Sequence, residues 1–400
     1  MSTMTAKARI AYRLALGLLP DWLSLPLRPR GRRFDPADVP EPIRAPDGDA
    51  RLLIAPANFA GQGHLWARAA ARLDGVGAIN MQVASANGFG FAADYDVPQA
   101  VFDSSGTWAR RQRDAVVTGF THVLVEAERS MFGLAFQGFV EREIQWLRAR
   151  SVEVAFVSHG TDLRSPLRHA AIDRWSPFRD ADPEWTSALE ARAARNRAIL
   201  ERSGLPVFVA TPELREDWPT AQWLPNVVDP EHWKNPEPAF GTNRPVVLHA
   251  PTNPAVKGTA LIEPALKRLA SEGVIDYQRV IRIPPSDMPG RFASADIVLD
   301  QFALGIYSTT SIEAMAAGRL VFAHLHHQVR DHIVSVTGLE PPIVEATPDS
   351  LEDLLRDVAA RPDTYRAIAQ RGPAYVRAVH DGGFSARVLA PFLGRGEQAE

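Results

Sequence analysis

From Val246 onward, short apolar runs alternate with longer segments of helical period: VVLHA, GTALIEPALKRLASEG, YQRVIRI, SDMPGRFASA, DIVLDQ, TSIEAMAAG and RLVFAHL, with helical segments again from Asp349. Apolar runs too short for helices, each followed by an amphipathic stretch, predict parallel strands joined by crossover helices. Such a sheet must be covered on both faces, and its functional loops gather at the carboxyl ends of the strands. The first half repeats this grammar less regularly. RLLIAPANFAGQGHLWARAAARL reads as strand, turn and helix, while THVLVEAE, VEVAFVSHG and LPVFVATPEL read as further strands around an Arg-rich helical region, Glu190 to Arg202. The expected fold class is α/β, with two Rossmann-like domains facing across a cleft. Turn-rich segments set the boundaries, FDPADVPEPIRAPDGDA and KNPEPAFGTNRP. They predict a basic N-terminal helix and Pro-rich linker over 1–50, domains over 51–235 and 236–385, and a tail or crossover helix over 386–400.

Four hundred residues fit two domains, and the absence of cysteine excludes disulfides, thiolate metal sites and cysteine nucleophiles. That absence agrees with a reducing compartment. A net charge of -3 gives no reason to expect nucleic acid as a partner. No uncharged apolar run is long enough to predict a membrane span. The charge is uneven, however: Met1 to Phe34 carries seven basic residues against the single acid Asp21, a net +6 that leaves -9 for the rest. A short amphipathic helix with Ile10, Leu14 and Leu18 on one side, followed by Trp22, either packs on the body of the protein or lies on an anionic membrane surface. The expected location is cytoplasmic, at the inner face of the membrane.

Several strand ends carry residues suited to binding. In VLHAPTNPAVKGTALIEPAL, Lys257 stands at the door of a helix, where unpaired amides and the helix dipole favour an anion; a solvated loop lysine is the alternative. Arg282 ends RVIRI, and Ser308, Thr309, Thr310 and Ser311 open a further helix, able to cap it or to hold phosphate oxygens. Glu313 in that helix suits a ribose or sugar hydroxyl better than a phosphate. VSHGTDLRSP places His159, Asp162 and Arg164 together, with Asp162 and Arg164 able to orient the histidine. Gly61 and Gly63 let backbone approach a donor or acceptor, outside any G-x-G-x-x-G pattern. Glu126 is an acceptor-side acid, unless it and Glu128 form internal pairs with Arg129. Two patterns read as decoys. Asp94 and Asp96 form a D-x-D in an expected irregular loop, and His324, His326, His327 and His332 show no partner acid at metal-ligand spacing. No metal is expected.

Taken in order, LPNVVDPEHW, NPAVKG, ADIVLDQ and IEAMAAGRLV resemble the C-terminal half of GT-B glycosyltransferases, in particular the large retaining, nucleotide-sugar-dependent group. The resemblance implies that Lys257 binds the donor diphosphate, that Glu313 holds the ribose, and that Asn226 to Asp229 mark the interdomain segment. His159 is implied to contact the donor sugar or phosphate. The implied function is transfer of a sugar from a nucleotide diphosphate sugar to an acceptor, a cell-envelope glycan or lipid-linked carbohydrate, by a hexosyltransferase-type enzyme without cofactor. His159, Asp162 and Glu313 would be its catalytic residues. One departure matters: the family's first glutamate, eight positions before Glu313, is replaced by Gly305. An arginine common before the K-G turn is also missing, and Arg282 is the substitute on offer. These departures keep two alternatives open, a nucleotide-binding scaffold without turnover and a nucleotide-sugar epimerase.

Overall fold

The computed structural model describes residues 15–84, 90–242, 244–281 and 283–396. It divides into two compact units, one of Met1–His159, Arg197–Phe208 and Leu389–Glu400, the other of Gly160–Asn196 and Val209–Val388.

The first sheet contains β1 (Ala50–Ala55), β2 (Val76–Ala84), β3 (Tyr95–Pro98), β4 (His122–Glu126), β5 (Glu153–Ser158), β6 (Val207–Val209) and β7 (Gln222–Trp223), in the spatial order β3-β2-β1-β4-β5-β6-β7. The pairs β3-β2, β2-β1, β1-β4 and β4-β5 are parallel. Chain order reverses between β1 and β4, which opens a switch point at their carboxyl ends. Leu52, Leu53 and Ile54 on β1 and Val123, Leu124 and Val125 on β4 are fully buried, as a strand covered on both faces requires. Four strands carry no clear signal in the sequence: β7 and β12 are only two and three residues long. β2 lacks a continuous apolar run, and the D-x-D expected in an irregular loop straddles the start of edge strand β3: Asp94 precedes the strand, while Met81 pairs with Tyr95 and Gln82 with Asp96.

The second sheet contains β8 (Val246–His249), β9 (Asp276–Arg279), β10 (Ile297–Leu299), β11 (Leu320–Ala323) and β12 (Ile343–Glu345), ordered β12-β11-β10-β8-β9 with every pair parallel. Its strand residues alternate between two cores. Val247, Ile297, Leu299, Leu320 and Phe322 pack with Ile262, Leu266 and Leu269 of the helix Thr259–Ser271. Leu248, Val298, Val321 and Ala323 face the other way, onto Ile312 and Met315 of the helix Thr309–Ala316 and Val376 of the helix Gly372–Val379. The period of two along each strand thus feeds both faces. Asp296, just before β10, ties down the amino end of the sheet: its buried carboxylate accepts the amides of Phe240 and of Val246, the latter at 2.8 Å. Here the switch point lies between β8 and β10, and the residues that end these two strands define the site below.

Candidate active site

At the switch point of the second sheet, β8 ends at His249 and β10 is followed directly by Asp300. The residues between β8 and the next long helix explain the lysine. Asn253 caps the four-residue turn Pro254–Lys257, and Gly258 closes it at φ 74°, with Phe302 and Ala303 packed too close to admit a Cβ without displacement. That turn directs Lys257 inward. Its side chain is buried, its ammonium donates to Asp300, and it donates to Ser308 Oγ at 2.7 Å.

Asp300 is therefore the anion beside Lys257. Its carboxylate also accepts the Ser308 amide at 2.7 Å, the Ser308 hydroxyl at 2.8 Å and the Ser311 hydroxyl at 2.6 Å. Burial acts to raise its pKa, but the Lys257 charge and these hydrogen bonds hold it below the ordinary carboxylate value. Ser308 in turn caps the helix Thr309–Ala316, its Oγ accepting from the Thr310 amide at 3.3 Å. Thr309 Oγ1 receives a bond from Asn226 Nδ2 at 3.2 Å, which joins the N-x-V-D stretch to the same helix start. Burial, and then the Asp300 charge, push the Glu313 carboxyl up to about 8 against the pull of Lys257. His249, sequestered between the Leu299 carbonyl (3.0 Å) and Thr259 Oγ1 (2.8 Å), is lowered to about 4 by burial and by the nearby Lys257 charge. At neutral pH the cluster thus holds a lysine–aspartate pair, a protonated glutamic acid and a neutral histidine. Arg282 lies outside the described residues.

Gly305, in the segment between Asp300 and that helix, has φ 63°, and a Cβ built on it would lie 2.4 Å from ring atoms of His326. The His326 amide also donates to the Gly305 carbonyl at 2.9 Å. No side chain of any kind fits at 305 while that imidazole is in place. His326 Nε2 is itself 2.9 Å from Asp173 Oδ2, and His324 Nε2 is 3.5 Å from the same oxygen. Asp173 is the acid that the histidine run lacked in sequence. Beside it opens a cavity of about 230 Å³ lined by Arg164, Arg168, His169, Leu304, His326 and His327, among others. Neither Lys257 nor Glu313 lines it.

In the first unit, the switch point between β1 and β4 is organised by Glu126. Its buried carboxylate accepts the amides of Ala57 and Asn58 at 2.9 Å, and its Oε1 is 3.2 Å from His159 Nε2. The histidine ring is held between Phe59, edge-on at 5.0 Å, and Trp66 at 5.3 Å. Gly63 is needed for this approach, because a Cβ there would stand 3.1 Å from Glu126 Oε2; Gly61 begins the same helix as its N-cap. Four non-glycine residues around Glu126 take positive φ, Asn58, Ala60, Ala127 and Glu128. Each such residue costs about 1–3 kcal/mol, so the surrounding bonds must over-determine the loops. Arg129 lies over the Phe59 ring at 4.9 Å, while Ser158 Oγ donates to Glu128 at 2.6 Å. In the second unit, Asp162 Oδ1 accepts the Gly160 amide at 2.5 Å and Arg164 forms a buried pair with Glu213. Glu126 is thus the acid that organises this loop. Asp94 is engaged internally by the Asn80 amide at 2.9 Å and by Arg68 at 3.1 Å.

Two predictions follow from the second-unit geometry. Gly305→Ala destabilises the chain by about 2–4 kcal/mol, from a steric clash and a left-handed backbone. In a double-mutant cycle with His326→Ala the two changes couple by about 1–2 kcal/mol, measured by urea unfolding; strict additivity would show that the ring and residue 305 do not compete. The second concerns Glu313, whose folded pKa lies above its unfolded one. Between roughly pH 4.5 and 8 the unfolded chain releases a proton that the folded chain retains, so this residue makes stability fall as pH rises. Glu313→Gln removes a slope worth on the order of 2–3 kcal/mol between about pH 5 and 8, and an unchanged slope would place the carboxylate in solvent.

No protein-family model matches the chain, and no curated protein matches its sequence. Solved structures do match it by shape. One is the Anabaena protein Alr3699/HepE in complex with UDP and glucose, 13% identical with a TM-score of 0.53, covering 86% of this chain and 98% of that one. Another is sucrose-phosphate synthase from Thermosynechococcus elongatus, 14% identical with a TM-score of 0.50, covering 79% and 82%. Together with the two parallel α/β sheets, these similarities give the chain the GT-B fold, built from two Rossmann-like domains.

Proposed function

We propose that the chain is a glycosyltransferase that moves a hexosyl group from a nucleotide diphosphate sugar to a cell-envelope glycan or lipid-linked acceptor, with retention and without a metal at the diphosphate. The observation that carries this reading is the shared fold with HepE, whose structure holds UDP and glucose and is matched over nearly its whole length. The switch-point chemistry supports it. Ser308, Thr309 and Thr310 offer hydroxyls at a helix start, and Glu313, held protonated, can donate a hydrogen bond to a ribose oxygen. The Lys257–Asp300 pair fixes Ser308 in place, and the lysine adds positive potential as charge develops on the leaving diphosphate. His159, seated on Glu126, is assigned the donor-sugar contact, with Arg282 as a further cation toward the phosphates. A second reading, nucleotide binding without turnover, is favoured by one observation: Gly305 carries no carboxylate and its space is taken by His326.

The experiment is thermal stabilisation by UDP, GDP, ADP and their sugar conjugates, followed by nucleotide release with and without acceptor. A ligand at about 100 times its Kd adds roughly 2.7 kcal/mol. Acceptor-dependent release supports transfer, stabilisation without release supports the second reading, and no stabilisation by any of them removes both. Glu313→Ala, which removes the proposed ribose donor, is the control substitution. Lys257→Ala is unsuited to that purpose, since leaving Asp300 buried and unpaired costs about 3–5 kcal/mol by itself.

Residues 15–33 support contact with a membrane surface. Residues 1–14, which include Ile10 and Leu14, lie outside the described residues. Among the described ones, Leu18 is 78% exposed, Trp22 72% and Leu27 55%, beside exposed Arg30, Arg32 and Arg33. No helix among the described residues is long and apolar enough to cross a membrane. An apolar group next to basic side chains suits an anionic lipid surface. The protein is expected to sediment with vesicles containing anionic lipid, and Leu18→Ser with Trp22→Ser to weaken this at least roughly tenfold, from the loss of about 1.5–3 kcal/mol per side chain. Wild-type protein remaining in the supernatant at low salt would refute the contact.

A further inference from the structure

Three side chains from two distant parts of the second unit converge where the sequence showed only histidines. Asp173 follows the helix Pro166–Ile172, and its Oδ1 accepts the Trp175 amide at 2.7 Å. Its Oδ2 faces two imidazoles, His326 Nε2 at 2.9 Å and His324 Nε2 at 3.5 Å. The three ligand atoms all lie within 4.8 Å of one another. A tetrahedral zinc ion with bonds of about 2.0–2.1 Å holds its ligands about 3.3 Å apart, a spacing that these two distances bracket.

The parallel sheet prepares the first ligand. Ala323 pairs with Glu345 across β11 and β12, so the Glu345 carboxylate meets the next residue's ring: Oε1 is 2.9 Å from His324 Nδ1, while Oε2 accepts the Leu325 amide at 2.8 Å. A carboxylate on Nδ1 fixes the ring and turns Nε2 toward Asp173, the arrangement in which metal-bound histidines are held. The second ligand is placed by Gly305, whose missing side chain leaves room for the His326 ring, and by His169, stacked on it at 6.3 Å. Two imidazole nitrogens and one carboxylate oxygen form a donor set for zinc and neighbouring first-row divalent ions. His326 also lines the cavity shared with Arg164, Arg168 and His169, which gives an ion and its remaining oxygen ligand a route in.

We propose that Asp173, His324 and His326 form a zinc-class divalent metal site, with Glu345 as the carboxylate behind His324 and the fourth position open to water or another oxygen donor. The site goes beyond the transfer reading, because none of its residues is assigned to the donor or acceptor and it stands or falls on metal binding alone. An ion there locks the imidazole that lies over Gly305.

The test uses the full chain stripped with a chelator, dialysed to equilibrium against Zn²⁺ or Co²⁺ alone and assayed for bound metal. The expected result is about one ion per chain, with Co²⁺ giving the visible absorption of a low-symmetry nitrogen and oxygen site. Asp173→Asn and the pair His324→Gln with His326→Gln abolish it. Glu345→Gln weakens it by about 10–100-fold. His327→Gln with His332→Gln leaves it intact. The Co²⁺ spectrum is read on the unsubstituted protein, so a variant that fails to fold does not decide the matter. Wild-type chain that takes up no Zn²⁺ and gives no Co²⁺ spectrum would overturn the proposal, leaving the cluster an ion-pair network; so would equal loss in the His327 and His332 variant.

Discussion

A carboxylate buried at the carboxyl end of a parallel strand organises the second domain. Asp300 receives the Lys257 ammonium, the Ser308 amide, and the hydroxyls of Ser308 and Ser311. Through these it sets the turn after β8, the segment after β10 and the start of the helix Thr309–Ala316 in one geometry. A buried charge is tolerable only when so fully hydrogen-bonded, and removing one partner leaves the others without a counterweight. The positive end of the helix, the lysine and the hydroxyls are thereby held in one fixed arrangement.

The first domain uses the same device at its own switch point. Glu126 ends the strand that neighbours β1, as Asp300 follows the strand that neighbours β8, and it too collects backbone amides from the loop across the switch. The difference is what each acid positions. Asp300 holds a lysine and a capping serine; Glu126 holds His159 and a loop with several left-handed residues. In both cases the side chain exposed by sequence as a candidate site residue is secured by an acid at the foot of the neighbouring strand.

The alternation of apolar strands and helices was legible because a strand buried on both faces has to be continuously apolar, as VVLHA and THVLVEAE are. β2 and β3 were not, since edge positions and a mixed sequence remove that constraint. Lys257 and Ser308 were readable as neighbours because each stands at a strand or helix end whose place in the sheet follows from order alone, and Glu313 follows one turn into the helix that Ser308 caps. Their electrostatic state was not. Asp300 did not stand out in DIVLDQ, because only the register of β8 against β10 brings it under the lysine. Asp173 carried no local signal at all, lying 153 positions before the histidine it meets.

The occupation of the space over Gly305 by His326 has a consequence for how this chain can change. A glutamate at 305 would need both a relaxed backbone and an absent imidazole, so neither substitution alone reaches a folded chain with that carboxylate in place. The histidine first has to be surrendered, and with it the contact to Asp173, before the acid brings any gain. Two architectures of the same pocket are therefore separated by an intermediate that has lost the contacts of the first without yet having those of the second.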